Sequence, residues 1–336
     1  MCRPPPWQTK RGAGYSPRRG RFDFTRQAYY DSGSVPALAV QHRLGMILML
    51  AASACIGIQA FFVKLASHDI HPVTLAFLRF AVSYALMRAA MAAAWVEVRP
   101  VNRRILWIRG ILGGVGSLLL FLAITHTRLS NAVVLFYTYP VFSALITRVL
   151  HGAPLSFAVA GSFAASLAGI SLIVQPSFET VLTGDVLGLL AALTAGGAIV
   201  SLKVSRSTET AWTVFHYYNI AGMLVTGPLL VAHWTPPTLA SVPVLLGVLL
   251  FSILGQLGVT VAYRHTTAVE GGVLSMFGAV VGSALGIGVL GEAATPNFLA
   301  GAALVVLGGV YLTVRGSEER DKSPHPPFVK GGRGGI

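Results

Sequence analysis

Charge is scarce in this chain: 11% of its 336 residues are charged, and acidic side chains number 12. Soluble globular domains carry about 25% charged residues, so an ordinary soluble enzyme is excluded. Cysteine is nearly absent, with Cys2 near the N-terminus and Cys55 in an apolar segment, which excludes a disulfide scaffold. Polar low-complexity sequence is confined to the ends, which excludes disorder for the bulk of the chain. What is abundant is apolar sequence. Hydrophobic residues make up 54% of the chain, and the mean hydropathy is +0.68. The apolar residues fall in long runs, and the chain reads as an all-α polytopic membrane protein.

The net charge of +13 is unevenly placed. Residues 1–43 carry +6, residues 315–336 carry +2, and the apolar core keeps +5. Basic ends beside hydrophobic spans set topology or touch anionic lipid, so no nucleic-acid partner is expected. The 1–43 extension is basic and Pro/Gly-rich with no apolar stretch before Leu44, unlike a signal peptide. It and the low-complexity tail 315–336 are expected to be disordered.

A spanning helix needs about 20 mostly apolar residues. Ten candidates meet that: 44–64, 72–95, 105–125, 129–149, 154–175, 184–203, 211–232, 241–263, 270–290 and 296–314. With both termini in the cytoplasm, the inner segments collect Arg99, Arg103, Arg104, Arg148, Lys203, Arg206 and Arg264. The outer loops 176–183, 233–240 and 291–295 carry neither Lys nor Arg, as the positive-inside rule requires. Trp95, Trp107, Trp212 and Trp234 stand at span ends, where amphipathic rings favour the interface.

The chain also repeats itself. Leu122-Ala123-Ile124-Thr125-His126-Thr127 returns as Val261-Ala262-Tyr263-Arg264-His265-Thr266, 139 residues on. Lys64 returns as Lys203 and Thr74 as Thr213 at the same offset, while Gly161 and Gly169 return as Gly301 and Gly309 at 140. Each unit (44–175 and 184–314) holds five spans. An odd number inserts the second copy upside down, giving two inverted five-helix repeats. Carriers built this way place their substrate near the midplane, between the halves.

Several motifs carry a resemblance. Leu78-Arg79-Phe80, Arg109-Gly110, Tyr139-Pro140-Val141-Phe142, and Leu290-Gly291-Glu292 followed by Gly301 and Gly308-Gly309 are similar to the EamA module, which occurs twice in the drug/metabolite transporter superfamily. The resemblance covers about residues 44–314. It implies a bacterial inner-membrane carrier with two five-helix halves around a central cavity. It also implies small organic substrates, amino acids or related metabolites, moved by efflux. One departure is visible: the Gly-Glu pair is Gly291-Glu292 in the second half but His151-Gly152 in the first. A capping role for that carboxylate would survive only in the second half.

Candidate site residues are the polar and aromatic groups deepest in the spans. Ionisable groups there are costly and functional by default, which singles out Arg79. Arg88 and Arg109 lie nearer a span end and read as interfacial arginines whose heads reach for water. Tyr137, Tyr139 and Pro140 mark a discontinuous fourth span, and Phe277 matches Tyr137 at an offset of 140. Gln59 and Gln256 are mid-span amides that must find partners. Substrate contact is therefore expected from Gln59, Arg79, Tyr137, Tyr139, Gln256 and Phe277. Gly278, Gly282 and Gly286 share one helix face and read as a close-packing seam.

Protons are the coupling partner considered, through His216 or Glu270, with a passive facilitator as the alternative. No catalytic residues, cofactor or metal is expected: there is no phosphate-binding G-x-x-x-x-G-K-[ST] loop, and His68, Asp69 and His71 lack a fourth ligand. The partners are a small-molecule substrate and the lipid bilayer, and the protein is a monomer or a homodimer. Two other readings stay open: an importer of a nucleotide-derived or cofactor-like metabolite, and an integral membrane enzyme acting on lipid.

Overall fold

The structure, a computed structural model, describes residues 35–151, 183–266 and 268–304, with scattered positions in 161–172 and 306–311. Most of the span expected over 154–175, most of the 1–43 extension, the end of the 296–314 span and the 315–336 tail lie outside the described residues.

All regular elements among the described residues are helical. They are α1 (Val35–Ala66), α2 (Pro72–Ala92), α3 (Arg103–His126), α4 (Leu129–Phe136), α5 (Tyr139–His151), α6 (Thr183–Ser205), α7 (Ala211–His233), α8 (Val242–His265), α9 (Ala268–Ser275) and α10 (Phe277–Gly288). A further helical stretch covers 296–304. Among the described residues, seven stretches are long and apolar enough to cross a membrane, α4 and α5 together counting as one, Leu129–Leu150. The protein is a multi-pass membrane protein.

Local sequence sets the helix starts. The His71 ring accepts from the Val73 amide and Pro72 opens α2, where a missing N–H costs nothing. Asn102 accepts from the Ile105 amide at the head of α3, and Thr210 accepts from Thr213 at the head of α7. Thr238 and Ser241 form a reciprocal capping box ahead of α8. At the end of α2, Ala94 takes a positive φ of 58° while the Trp95 amide donates back to Ala90 O.

Packing follows a paired pattern. α1 runs along α8, and α3 runs along α6; α1 meets α10, and α5 meets α6; α2 packs on α7. Lys64, at the end of α1, donates to Ile124 O (2.9 Å) and Thr127 O (2.7 Å) at the end of α3. Lys203, at the end of α6, donates to Tyr263 O (3.0 Å) and Thr266 O (2.6 Å) at the end of α8. Every partner in the second clasp is 139 residues beyond its equivalent in the first. A cation at a helix C-terminus satisfies carbonyls that have no helical partner.

The two clasps stand on opposite faces. At the Lys64 end, Thr127 Oγ1 donates to Asp185 Oδ1 (2.9 Å) at the start of α6, and Glu292 accepts from the Leu129 and Ser130 amides. At the Lys203 end, Glu209 accepts from the Val101 and Asn102 amides just ahead of α3, and Arg206 Nε donates to Thr260 O. Burial, with Arg264 nearby, lowers Arg206 to about 10, so it stays cationic at neutral pH. The capping role expected to survive only in the second half is carried by Glu292, but the helix it caps is α4, in the 44–175 stretch.

The glycine seam of α10 is a packing surface. A Cβ at Gly278 would stand 2.0 Å from the Tyr137 hydroxyl and 2.6 Å from Ser53 O; at Gly282 it would meet Val133 at 3.1 Å. These glycines let α10 close on α1 and α4.

Candidate functional site

The expected 129–149 and 270–290 spans are both broken. Helix α4 stops at Phe136, Tyr137 and Thr138 form a turn, and α5 restarts at Tyr139. Pro140, second in α5, has no N–H to continue the α4 ladder. In the second half α9 ends at Ser275, Met276 is a turn residue, and α10 starts at Phe277 without any proline. Tyr137 and Met276 are 139 apart. The two breaks touch: the Tyr139 hydroxyl donates to Ser275 Oγ, and both groups are buried.

Beside these breaks lies a cavity of about 80 Å³. Gln59, Arg79, Tyr137, Tyr139 and Gln256 all line it, so the structure brings together five of the six expected contact residues. Phe277 is not among the lining residues and is 45% exposed. His216 does not line the cavity either; it sits on α7 between the rings of Tyr84 (5.5 Å) and Tyr217 (6.0 Å), with its Nδ1 buried and unpartnered. Glu270 falls in the first turn of α9, and its side chain lies outside the described residues.

Arg88 is exposed at its span end, as expected of an arginine reaching for water. Arg109 is not. It is 3% exposed, lines the cavity, and holds its guanidinium carbon 4.7 Å from the Tyr218 ring centroid. The expectation of an interfacial Arg109 is corrected by Gly113, one turn further along α3. A Cβ there would lie 2.1 Å from Arg109 Nη1, so the glycine creates the slot into which the guanidinium folds.

Arg79, 4% exposed, enters from α2 against the other side of the site. Its Nη2 donates to the Tyr218 hydroxyl, and its guanidinium carbon lies 4.5 Å from the Phe80 centroid and 5.4 Å from that of Tyr218. The Tyr218 hydroxyl also meets Ser117 Oγ at 2.8 Å. Tyr218 thus holds both arginines by π-face and hydroxyl. Sequence reasoning passed over Tyr218, Ser117 and Gly113, although Tyr218 stands 139 residues after Arg79.

That spacing pervades the lining. Ile56 and Ala195, Gln59 and Ala198, Arg79 and Tyr218, Ser117 and Gln256, Leu120 and Val259, and Phe136 and Ser275 are each 139 apart, so 12 of the 18 lining residues fall in such pairs. Among the described residues no Asp or Glu lines the cavity. Among the described residues no three His, Cys, Asp or Glu side chains are grouped to hold a metal ion. A polar-studded cavity of this kind can bind a small molecule and orient it.

Comparison with known proteins gives a consistent picture. Residues 43–175 match the EamA-like transporter family. The chain is 28% identical over 272 residues to "Pseudopaline exporter CntI" of Pseudomonas aeruginosa strain UCBPP-PA14, covering 80% of this chain and 93% of the relative. The protein of the same name from strain PAO1 matches to the same extent. An "Uncharacterized transporter" of Helicobacter pylori strain J99 is 23% identical over 235 residues, covering 67% of this chain and 79% of that one. A solved crystal structure shares the fold, with a TM-score of 0.55 and 20% identity over 81% of this chain and 99% of that one. The resemblance read from the sequence is therefore to transporters of the EamA and drug/metabolite type.

Proposed function

We propose that this chain is a secondary carrier of a small organic metabolite, an amino acid or related compound, and that it works as an exporter by alternating access. The observation that carries the reading is the cavity lined by positions paired at 139 residues. It lies where the two broken helices meet, which is where carriers with inverted repeats bind substrate. The likeness to an exporter over 80% of the chain favours efflux.

On this reading the chain makes ten spans as two inverted five-helix repeats, 44–175 and 184–314. The lysine clasps on opposite faces support the inversion, because equivalent helix ends then lie on opposite sides of the membrane. The face with Arg99, Arg103, Arg104, Lys203 and Arg206 is the cytoplasmic side of a bacterial inner membrane, and both termini lie there. Proton coupling, in this scheme, runs through His216 or Glu270.

Counterflow in proteoliposomes tests the carrier. Vesicles holding the purified protein and preloaded with a metabolite panel should accumulate labelled substrate; no exchange of any compound, with protein shown to be folded and oriented, defeats the proposal. Reporter fusions after Phe178 and Arg315 should report periplasm and cytoplasm, and the reverse would overturn the orientation. Uphill transport driven equally well by a pH gradient in wild type and in a His216→Ala, Glu270→Gln double variant would remove the coupling assignment.

A further inference from the structure

Among the described residues, the cavity is lined by two cations and no anion. Arg79 and Arg109 are 4% and 3% exposed, yet among the described residues neither pairs with a carboxylate, and no acidic side chain lines the space between them. A guanidinium does not shed its proton in a protein, so both charges persist. Buried charges are ordinarily paired or neutralised. Here the compensation is partial: Arg79 has the Tyr218 hydroxyl and Arg109 has the Tyr218 ring, while Arg109 Nε has no hydrogen-bond partner. A structural ion network would have closed this circuit with an Asp or Glu. Instead the chain spends Gly113 to fold Arg109 inward, where any larger residue would collide with it. The remaining polar lining is neutral: Gln59, Ser117 and Gln256 can orient an amine or hydroxyl but cannot balance a charge.

We infer that the missing anion is supplied by the substrate, and that the cavity takes a small organic acid whose carboxylate bridges Arg79 and Arg109. This rests on the carrier reading above and narrows it. A planar carboxylate accepts two parallel N–H bonds from a guanidinium fork, which is the arrangement arginine is shaped to make. The substrate bears net negative charge within this cavity. Polyamines and quaternary ammonium compounds are excluded, because two fixed positive charges in a site of low dielectric repel them.

The test uses purified protein in lipid nanodiscs, with thermal midpoints recorded against L-glutamate, citrate, sn-glycerol 3-phosphate, spermidine, choline and chloride. Citrate or glutamate should raise the midpoint of the wild type, since a ligand of the folded state stabilises it by mass action. Arg109→Gln should weaken the response by about ten- to a hundredfold in affinity, the worth of a charged hydrogen bond. Arg109→Lys keeps the charge without the fork and should fall between, which guards against a variant that merely misfolds. The inference is overturned by any of four results: no response to either carboxylate, a response to spermidine or choline instead, an equal response to chloride, or carboxylate responses unchanged in both Arg79→Gln and Arg109→Gln. A response to glycerol 3-phosphate alone overturns the carboxylate and assigns a phosphate ester. The same probes in proteoliposomes separate the two proposals. Carboxylate binding without transport defeats the carrier and keeps the anion site; arginine-independent transport of a cation does the reverse.

Discussion

Among the described residues, the first half of the chain supplies both cations that line the cavity, and the second half supplies none. At the position where the first half has Arg79 the second has Tyr218, and where the first has Ser117 the second has Gln256. The frames of the two halves, by contrast, agree closely. Lys64 and Lys203 make the same pair of bonds to equivalent carbonyls, and the α4–α5 and α9–α10 stretches break at residues 139 apart. The lysine clasps are kept the same, while the paired positions that face the cavity diverge. A binding site for an asymmetric molecule must itself be asymmetric, and where paired positions share a backbone frame that asymmetry comes from side chains.

The largest effect is expected from erasing the asymmetry. Arg79→Tyr places a tyrosine at both equivalent positions and should lower transport about a hundredfold, from the loss of a charge and its hydrogen bonds. Adding Tyr218→Arg returns one arginine to the pair from the other side. Efflux assays should then recover about tenfold; no recovery would show that the two positions are not interchangeable. Next in size is Gly278→Ala, whose Cβ would meet the Tyr137 hydroxyl and the backbone of Ser53. It should destabilise the protein by about 3 kcal/mol in detergent unfolding. Gly288→Ala, with nothing within 4 Å, should leave stability unchanged or slightly raised. The clasps test the shared frame. Lys64→Met and Lys203→Met should each cost about 2 kcal/mol by the same measurement, and equally, because each leaves two carbonyls without a charged donor.

The smallest effect concerns a feature of one face only. His71 stacks on His233 at 4.5 Å and accepts the Val73 amide through Nδ1. Burial first, then His233 and His126, hold its imidazole below the ordinary 6.5. A depressed base is neutral in the fold, so its contribution is present above pH 6.5 and lost as pH falls below it. Thermal midpoints should therefore drop mildly below pH 6.5. In His71→Asn, a cap that does not titrate, the slope should flatten.

Much of the site was legible because polar groups inside apolar runs announce themselves. Gln59, Arg79, Tyr137, Tyr139 and Gln256 were each conspicuous by composition alone, and each lines the cavity. Arg109 was misjudged because depth along a span does not reveal which way a side chain turns. The readable clue was Gly113, one turn on, which leaves a space that a long side chain can enter. Phe277 was chosen at an offset of 140, whereas the break keeps an offset of 139 and pairs Tyr137 with Met276. One residue rotates a helix position by about 100°, which accounts for its outward placement. In the fold, the long spans were visible from hydropathy. The break in the second half was not, since no proline or polar run marks Met276.

The bond between Arg79 and Tyr218 joins residues 139 apart in the order of synthesis. At about 5–20 residues per second, the ribosome makes Arg79 on the order of ten seconds before its partner. During that interval α2 and α3 carry both arginines without Tyr218, although Phe80 and Phe121 already flank Arg79; an arginine at the centre of a span costs about 2.5–3.5 kcal/mol to insert. Nascent chains arrested before α7 should therefore hold α2 and α3 at the insertion machinery rather than release them into lipid.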